Sequence, residues 1–348
     1  MNQPNTDPKV YAKQRIAETR AELAWQAGPR DAMETWQDRL RAKLNEAIGG
    51  LPWERCPLNA RVVETRDFGQ YRRELIHFES RPGLIAVGYY LVPKDCQEKS
   101  PAVLCLPGHG CGVDSIVGIA ADGSQRDFDK PDEYQADFAL QCVAHGYPVF
   151  ALEQVSFGHR RDVTACGDDA GSSSCNSDSM AALMLGETIT GWRVWDAMRA
   201  IDYLETRPEV DPARIATMGI SGGGLTSLFT ACLDTRVRVG VVSGYFNTFR
   251  DSVLAVSHCV DNFVPGLLNL TEMPDMAGLI APRALFVENG AQDPIFPLFA
   301  FEQAVARAHE IYGAFDVVDH FGSEVFPGDH HFHGTGAFKF LQEHLASH

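Results

Sequence analysis

The chain has 348 residues, 45% hydrophobic and 22% charged, which is ordinary globular usage. Lys and Arg number 30 against 46 Asp and Glu, a formal net charge of −16 that argues against a nucleic-acid partner and against adhesion to an anionic membrane surface. No run of about 18 apolar residues occurs, and residues 1–7 are polar with no apolar leader segment, so no membrane span or secretory signal is predicted and a cytoplasmic location is expected.

Residues 1–58 read as a helical extension without a reactive cluster. Residues 8–26 are rich in Ala, Glu and Arg and read as helix. Met33, Trp36, Leu40, Leu44 and Ile48 then recur at three- and four-residue spacing, one apolar stripe of a second helix that Gly49, Gly50 and Pro52 end. This extension either packs on the rest of the chain or, through Trp25 or Trp36, makes contacts in a homo-oligomer.

Residues 59–348 read as a catalytic domain. Segments 71–78 and 85–92 are β-rich, and Arg81-Pro82-Gly83 between them reads as a hairpin turn. Short apolar runs follow at 102–106, 148–152, 215–220, 237–242, 284–287 and 315–318, the pattern of parallel strands covered on both faces. Helical stretches at 132–145, 191–206, 224–232, 299–312 and 335–346 alternate with them. The predicted fold class is therefore α/β, a mostly parallel sheet flanked by helices. Two connections, about 154–187 and 245–279, are too long for turns and read as lid-like insertions. Nine cysteines are spread singly with no C-x-x-C, so reduced thiols are expected; Cys166 and Cys175, in one polar loop, are the pair weighed as a bridge.

Gly219-Ile220-Ser221-Gly222-Gly223 matches G-x-S-x-G, with an apolar strand before it and an apolar helix after it. A serine on so sharp a turn needs small residues two positions either side, and both are glycine here. Such a serine needs a base, and the base an orienting acid, in the chain order Ser, acid, His. Asp293 follows the strand at 284–287, with Glu288 its main rival and Asp261 a distant third. The base is expected at His330, with His331 the alternative. His330, His331 and His333 could hold a metal, but no H-E-x-x-H or second ligand cluster accompanies them, so neither metal nor cofactor is predicted.

An oxyanion hole is expected from the N–H of Gly222 and from the loop Pro107-Gly108-His109-Gly110-Cys111-Gly112. That loop lacks both the G-x-G-x-x-G spacing and the ribose-binding acid of a dinucleotide site. His159, Arg160 and Arg161 are candidates for a substrate carboxylate, though a solvated loop is the favoured reading. His258 and Cys259 are candidate pocket residues.

These motifs resemble the dienelactone hydrolase-like and acetyl xylan esterase-like branch of the α/β-hydrolases. The resemblance runs from about residue 60 to the C-terminus. It rests on residues 196–223, on residues 275–297 with Asn-Gly-Ala-Gln-Asp-Pro, and on Gly328 to Gly334, which places the base at His330. It implies a Ser221, Asp293, His330 triad acting on a small-molecule ester. Pro107 stands where the family often has the first histidine of His-Gly-His-Gly; that match assigns the second oxyanion N–H to His109, with Gly110 left open. Serine in place of the cysteine of true dienelactone hydrolases points to esters rather than dienelactones. Asp329, beside His330, is expected to raise the base's pKa. Amide or thioester cleavage by the same triad, and a non-catalytic binding protein on this fold, are the competing readings.

Overall fold

A computed structural model describes residues 6–52, 54–127 and 130–346. Helix α1 (Pro8–Glu18) opens with Pro8 in its first turn and the Asp7 carboxylate accepting from the Lys9 N–H. The helix expected over 8–26 ends there. Beyond it the Glu22 and Leu23 N–H groups donate to the carbonyls of Asn269 and Leu270, both at 2.8 Å, so tertiary pairing overrides helix propensity. Helix α2 (Arg30–Ala47) turns Met33, Leu40 and Leu44 inward. Each leucine is fully buried and contributes about 1.5–3 kcal/mol. The Gln37 amide donates to the carbonyls of Gly278 and Ala281, both at 2.6 Å. Trp25 is buried, and the Trp36 indole donates to the Leu23 carbonyl at 2.9 Å.

The sheet contains β1 (Arg61–Asp67), β2 (Tyr71–Arg81), β3 (Leu84–Pro93), β4 (Ser100–Leu106), β5 (Val149–Leu152), β6 (Val210–Ile220), β7 (Val237–Ser243), β8 (Ala284–Gly290) and β9 (Phe321–Phe326). Their spatial order is β1-β2-β3-β5-β4-β6-β7-β8-β9. The first three are antiparallel, β3 pairs antiparallel with β5, and every pairing from β5 to β9 is parallel. Pro82-Gly83 closes the β2–β3 hairpin with Gly83 at φ 80°. All of β8 and all but one residue of β7, Arg238, are buried, as their mainly apolar sequences lead one to expect.

Alternation along the strands splits the core in two. Leu104, Leu106 and Leu285 face a cluster with α2 and with α5 (Ile189–Glu205), α6 (Gly222–Leu233), α7 (Met273–Ile280) and α8 (Leu298–Ala314). Val103, Cys105 and Phe286 face the other side, with α3 (Phe138–Ala144) and α9 (Thr335–Leu345). Helix α4 (Cys175–Met184) lies within the first long connection, and α7 within the second, so neither is irregular throughout.

Two expected elements are displaced. The apolar run 315–318 is not a strand; Phe315 caps α8 and β9 begins at Phe321. Phe315 and Val317 pack in the core from a helix end, which mimics a strand signal. The helix expected from 132 starts only at Phe138. The Asp132 carboxylate accepts the N–H groups of Tyr134 and Gln135 at 3.0 and 2.6 Å, and Ala136 and Asp137 take φ 51° and 46°, so residues 132–137 turn instead. Among the described residues no helix is long and apolar enough to cross a membrane.

Candidate active site

Ser221 sits between β6 and α6 at φ 52°, ψ −118°, a left-handed backbone that a non-glycine residue adopts only under constraint. The constraint is close packing. A Cβ at Gly219 would lie 2.3 Å from the Gly223 carbonyl oxygen, and one at Gly223 would lie 1.9 Å from that of Leu106. The Ser221 N–H donates to the Ser243 carbonyl at 2.9 Å, and the serine is 7% exposed.

Asp293 lies three residues beyond β8. Its Oδ1 accepts the N–H groups of Ile295 and Phe296 at 2.8 and 3.0 Å, which fixes the carboxylate. Its Oδ2 lies 2.6 Å from His330 Nδ1. The imidazole is held between two rings, Tyr134 at 5.5 Å and Phe296 at 5.6 Å, both nearly parallel to it. His330 Nε2 is buried without a hydrogen-bond partner. It shares with Ser221 the wall of a cavity of about 610 Å³, also lined by His109, Tyr134, His258 and Cys259. A cavity of about 660 Å³ elsewhere, lined by Phe68, Tyr71 and Cys96 among others, has no histidine in its wall.

The rival residues are otherwise engaged. Glu288 is buried and accepts from the Ser243 hydroxyl at 2.8 Å and from the N–H groups of His333 and Gly334 at 3.0 Å, so it latches the histidine loop to the sheet. Asp261 is paired with Arg193 at 2.5 Å. His331 bonds Asp329 at 3.0 Å. His333 faces Glu324 at 3.4 Å. The three histidines thus turn to three different carboxylates and do not converge.

His159 pairs with Asp114 at 3.0 Å, Arg160 with Asp196, and Arg161 with the Ala170 carbonyl at 2.7 Å, so the basic trio is spent within the protein. Cys166 and Cys175 are both free thiols, not a bridge; Cys175 is buried against Arg193, and Cys166 sits in the separate turn Val163–Cys166.

In the glycine loop after β4, the Gly108 N–H is already donated to Gln135 Oε1 at 2.7 Å. The His109 ring reaches Gly222: its Nδ1 lies 3.2 Å from where a Gly222 Cβ would be. Gly222 opens α6, where N–H groups have no intrahelical acceptor.

Tyr134 is a site residue that the sequence did not disclose. It lines the same cavity as Ser221, and burial, partly offset by the Ser221 hydroxyl, pushes its phenol above the usual range, so it stays a neutral O–H. Its carbonyl accepts the Phe332 N–H at 2.9 Å, which ties it to the histidine loop.

The sequence profile of the abhydrolase family matches residues 12–331. The chain belongs to the abhydrolase family. A relative, the provisionally named hydrolase YtaP of Bacillus subtilis (strain 168), is 26% identical over 285 residues, covering 80% of this chain and 89% of that one. Among solved structures, a provisionally named acetyl xylan esterase from Bacteroides fragilis NCTC 9343 superposes with a TM-score of 0.77 at 18% identity, over 93% of this chain and 83% of that chain. A glucuronoyl esterase from Solibacter usitatus gives 0.67 at 17% identity, over 94% and 99%. These likenesses establish an α/β-hydrolase fold, and the match to the family reaches back to residue 12, into α1.

Proposed function

We propose that this abhydrolase is a serine hydrolase that cleaves a carboxylic ester of a small molecule. The observation that carries the reading is His330. Its Nδ1 is anchored to Asp293 at 2.6 Å, and its Nε2 is unpartnered in the cavity that Ser221 lines. Ser221 Oγ attacks the acyl carbon while His330 Nε2 takes its proton. Asp293 holds the imidazole as the Nδ1–H tautomer and stabilises the imidazolium that forms. The N–H groups of Gly222 and His109 face the developing oxyanion, and the Tyr134 hydroxyl is a third donor close to it. His330 then protonates the leaving alcohol, and water releases the acid from the acyl-enzyme by the reverse sequence.

No hydrogen bond joins Ser221 to His330 in the free protein; such contacts commonly tighten only when substrate arrives. The names of the solved relatives lead us to place sugar-linked short-chain esters first among the substrates to try. The test is p-nitrophenyl acetate hydrolysis by the unaltered protein and by Ser221→Ala. The variant should lose roughly four to six decades of kcat. A loss below about tenfold would exclude Ser221 as nucleophile.

A further inference from the structure

Beside the nucleophile, three separate segments bring four side chains together. His109 comes from the loop after β4, Cys175 from the first turn of α4, and Cys259 and Asp261 from the connection after β7. One donor atom of each lies within 4.8 Å of all the others. Cys175 and Asp261 are 1% and 2% exposed, while Cys259 faces the cavity.

The separations decide what this cluster is. His109 Nε2 lies 3.3 Å from Asp261 Oδ2, Cys175 Sγ lies 3.3 Å from the same oxygen, and Cys175 Sγ lies 3.8 Å from His109 Nε2. A charge-assisted N–H···O bond would be about 2.7–2.9 Å, so the imidazole–carboxylate contact is long for one. A tetrahedron built on zinc–ligand bonds of about 2.0–2.3 Å has edges of roughly 3.3–3.8 Å, and all three separations fall there.

We propose that His109, Cys175, Cys259 and Asp261 bind one Zn²⁺ ion, which clamps the oxyanion loop to both long connections at the mouth of the cavity. Two thiolates, an imidazole and a carboxylate are a donor set that favours zinc over the hard cations. The protein fills all four positions and leaves none for water, which makes the site structural rather than catalytic. Arg193 holds the ligands from outside. Its Nη1 donates to Asp261 Oδ2 at 2.5 Å and its Nη2 to Cys175 Sγ at 3.3 Å, while Nε and Nη2 also donate to the Val155 carbonyl. Asn262 donates to Asp261 Oδ1 at 2.7 Å, so Oδ2, which already accepts from Arg193, is the oxygen that would turn its second lone pair to the metal. Zinc with two thiolates, one carboxylate and a neutral imidazole carries one negative charge, and buried Arg193 balances it. On binding, the thiol protons of Cys175 and Cys259, and any proton on His109 Nε2, leave to solvent.

The sequence hid this site because only Cys259 and Asp261 are near neighbours along the chain; the other two ligands are remote.

The test uses the full-length protein, reduced, stripped with a chelator and dialysed free of it. Zinc chloride should bind at one ion per chain and raise the thermal midpoint. Cobalt(II) in its place should give thiolate-to-metal charge-transfer absorption in the near ultraviolet and the strong visible bands of a tetrahedral site. Cys259→Ser, checked for folding by circular dichroism, should lose part of that absorption and bind zinc at least roughly tenfold more weakly. Absence of saturable binding by the reduced, unaltered protein overturns the proposal. So does cobalt bound without thiolate absorption, or an unchanged spectrum in Cys259→Ser. Every readout is of metal, so a failure here is distinct from a failure of the ester-hydrolase reading.

Discussion

The Tyr134 hydroxyl occupies the space that a side chain on residue 108 would need: a Cβ on Gly108 would lie 2.1 Å from that oxygen. The glycine is thus the seat of the tyrosine, which lines the same cavity as Ser221. Tyr134→Phe keeps the ring stacked on His330 and removes only the hydroxyl. It should lower kcat by roughly ten- to a hundredfold with little change in KM, the signature of a donor used in the transition state. Gly108→Ala should cost at least as much, since it displaces the whole phenol. Steady-state kinetics on both variants checks this, and an unchanged kcat in Tyr134→Phe would leave the hydroxyl a structural role alone.

Asp293→Asn tests the anchoring of the base. The amide is nearly the same size, so the fold should persist, but its NH₂ cannot accept the His330 Nδ1–H and favours the wrong tautomer. A fall in kcat of about four decades is expected. Retention of more than a tenth of the activity would shift attention to Glu288, although its oxygens are already taken by Ser243, His333 and Gly334.

The backbone of Ser221 stores strain at φ 52°, which its proposed role as nucleophile would account for. Ser221→Gly relieves the positive φ and should raise stability by about 1 kcal/mol while abolishing hydrolysis. The shift in the denaturant midpoint measures it. A less stable variant would mean that the serine hydroxyl contributes more to packing than its conformation costs.

Glu153 gives the protein a pH signature. It is fully buried, and desolvation pushes its carboxyl up to about 7, partly offset by His159 and by the backbone N–H groups of His159 and Val113. In the unfolded chain the same group titrates near 4.5. Between those values the folded state holds the proton more tightly, so this group's contribution to stability is present below about 4.5 and is lost as pH rises through about 7. Stability of the unaltered protein minus that of Glu153→Gln, from urea melts at several pH values, should therefore fall across that window and level off above it. A difference that is flat, or that rises with pH, would show an ordinary carboxylate.

Leu44 is fully buried in the cluster that joins α2 to the sheet-covering helices. Leu44→Ala should cost about 2–5 kcal/mol, read as a lower urea midpoint. A loss under about 0.5 kcal/mol would mean that the N-terminal helix adds little to the core.

The parts of the molecule that the sequence discloses are those where one local signal suffices. β4, β5, β7 and β8 are mostly buried on both faces and therefore read as mainly apolar runs, broken in β7 only by exposed Arg238. Ser221, Asp293 and His330 each sit in a short motif at a strand end. β1 is exposed along its whole length on the sheet edge, and its charged sequence carries no such signal. β9 is half-exposed and lost to the apolar residues at the end of α8. Tyr134 lies in a turn held by Asp132, and only the folded chain brings that turn into the cavity that Ser221 lines. Glu288 and Asp261 look like acids in waiting until their partners are seen.

The two hydrogen bonds donated by the Gln37 amide span 241 and 244 residues. Helix α2 therefore leaves the ribosome long before the carbonyls it must meet exist. At about 5–20 residues per second, the delay is on the order of ten seconds or more. Through that interval the nascent chain carries an amphipathic helix with its apolar stripe uncovered. Those carbonyls arrive with the end of α7, just ahead of β8, so α2 docks only when most of the chain has been made.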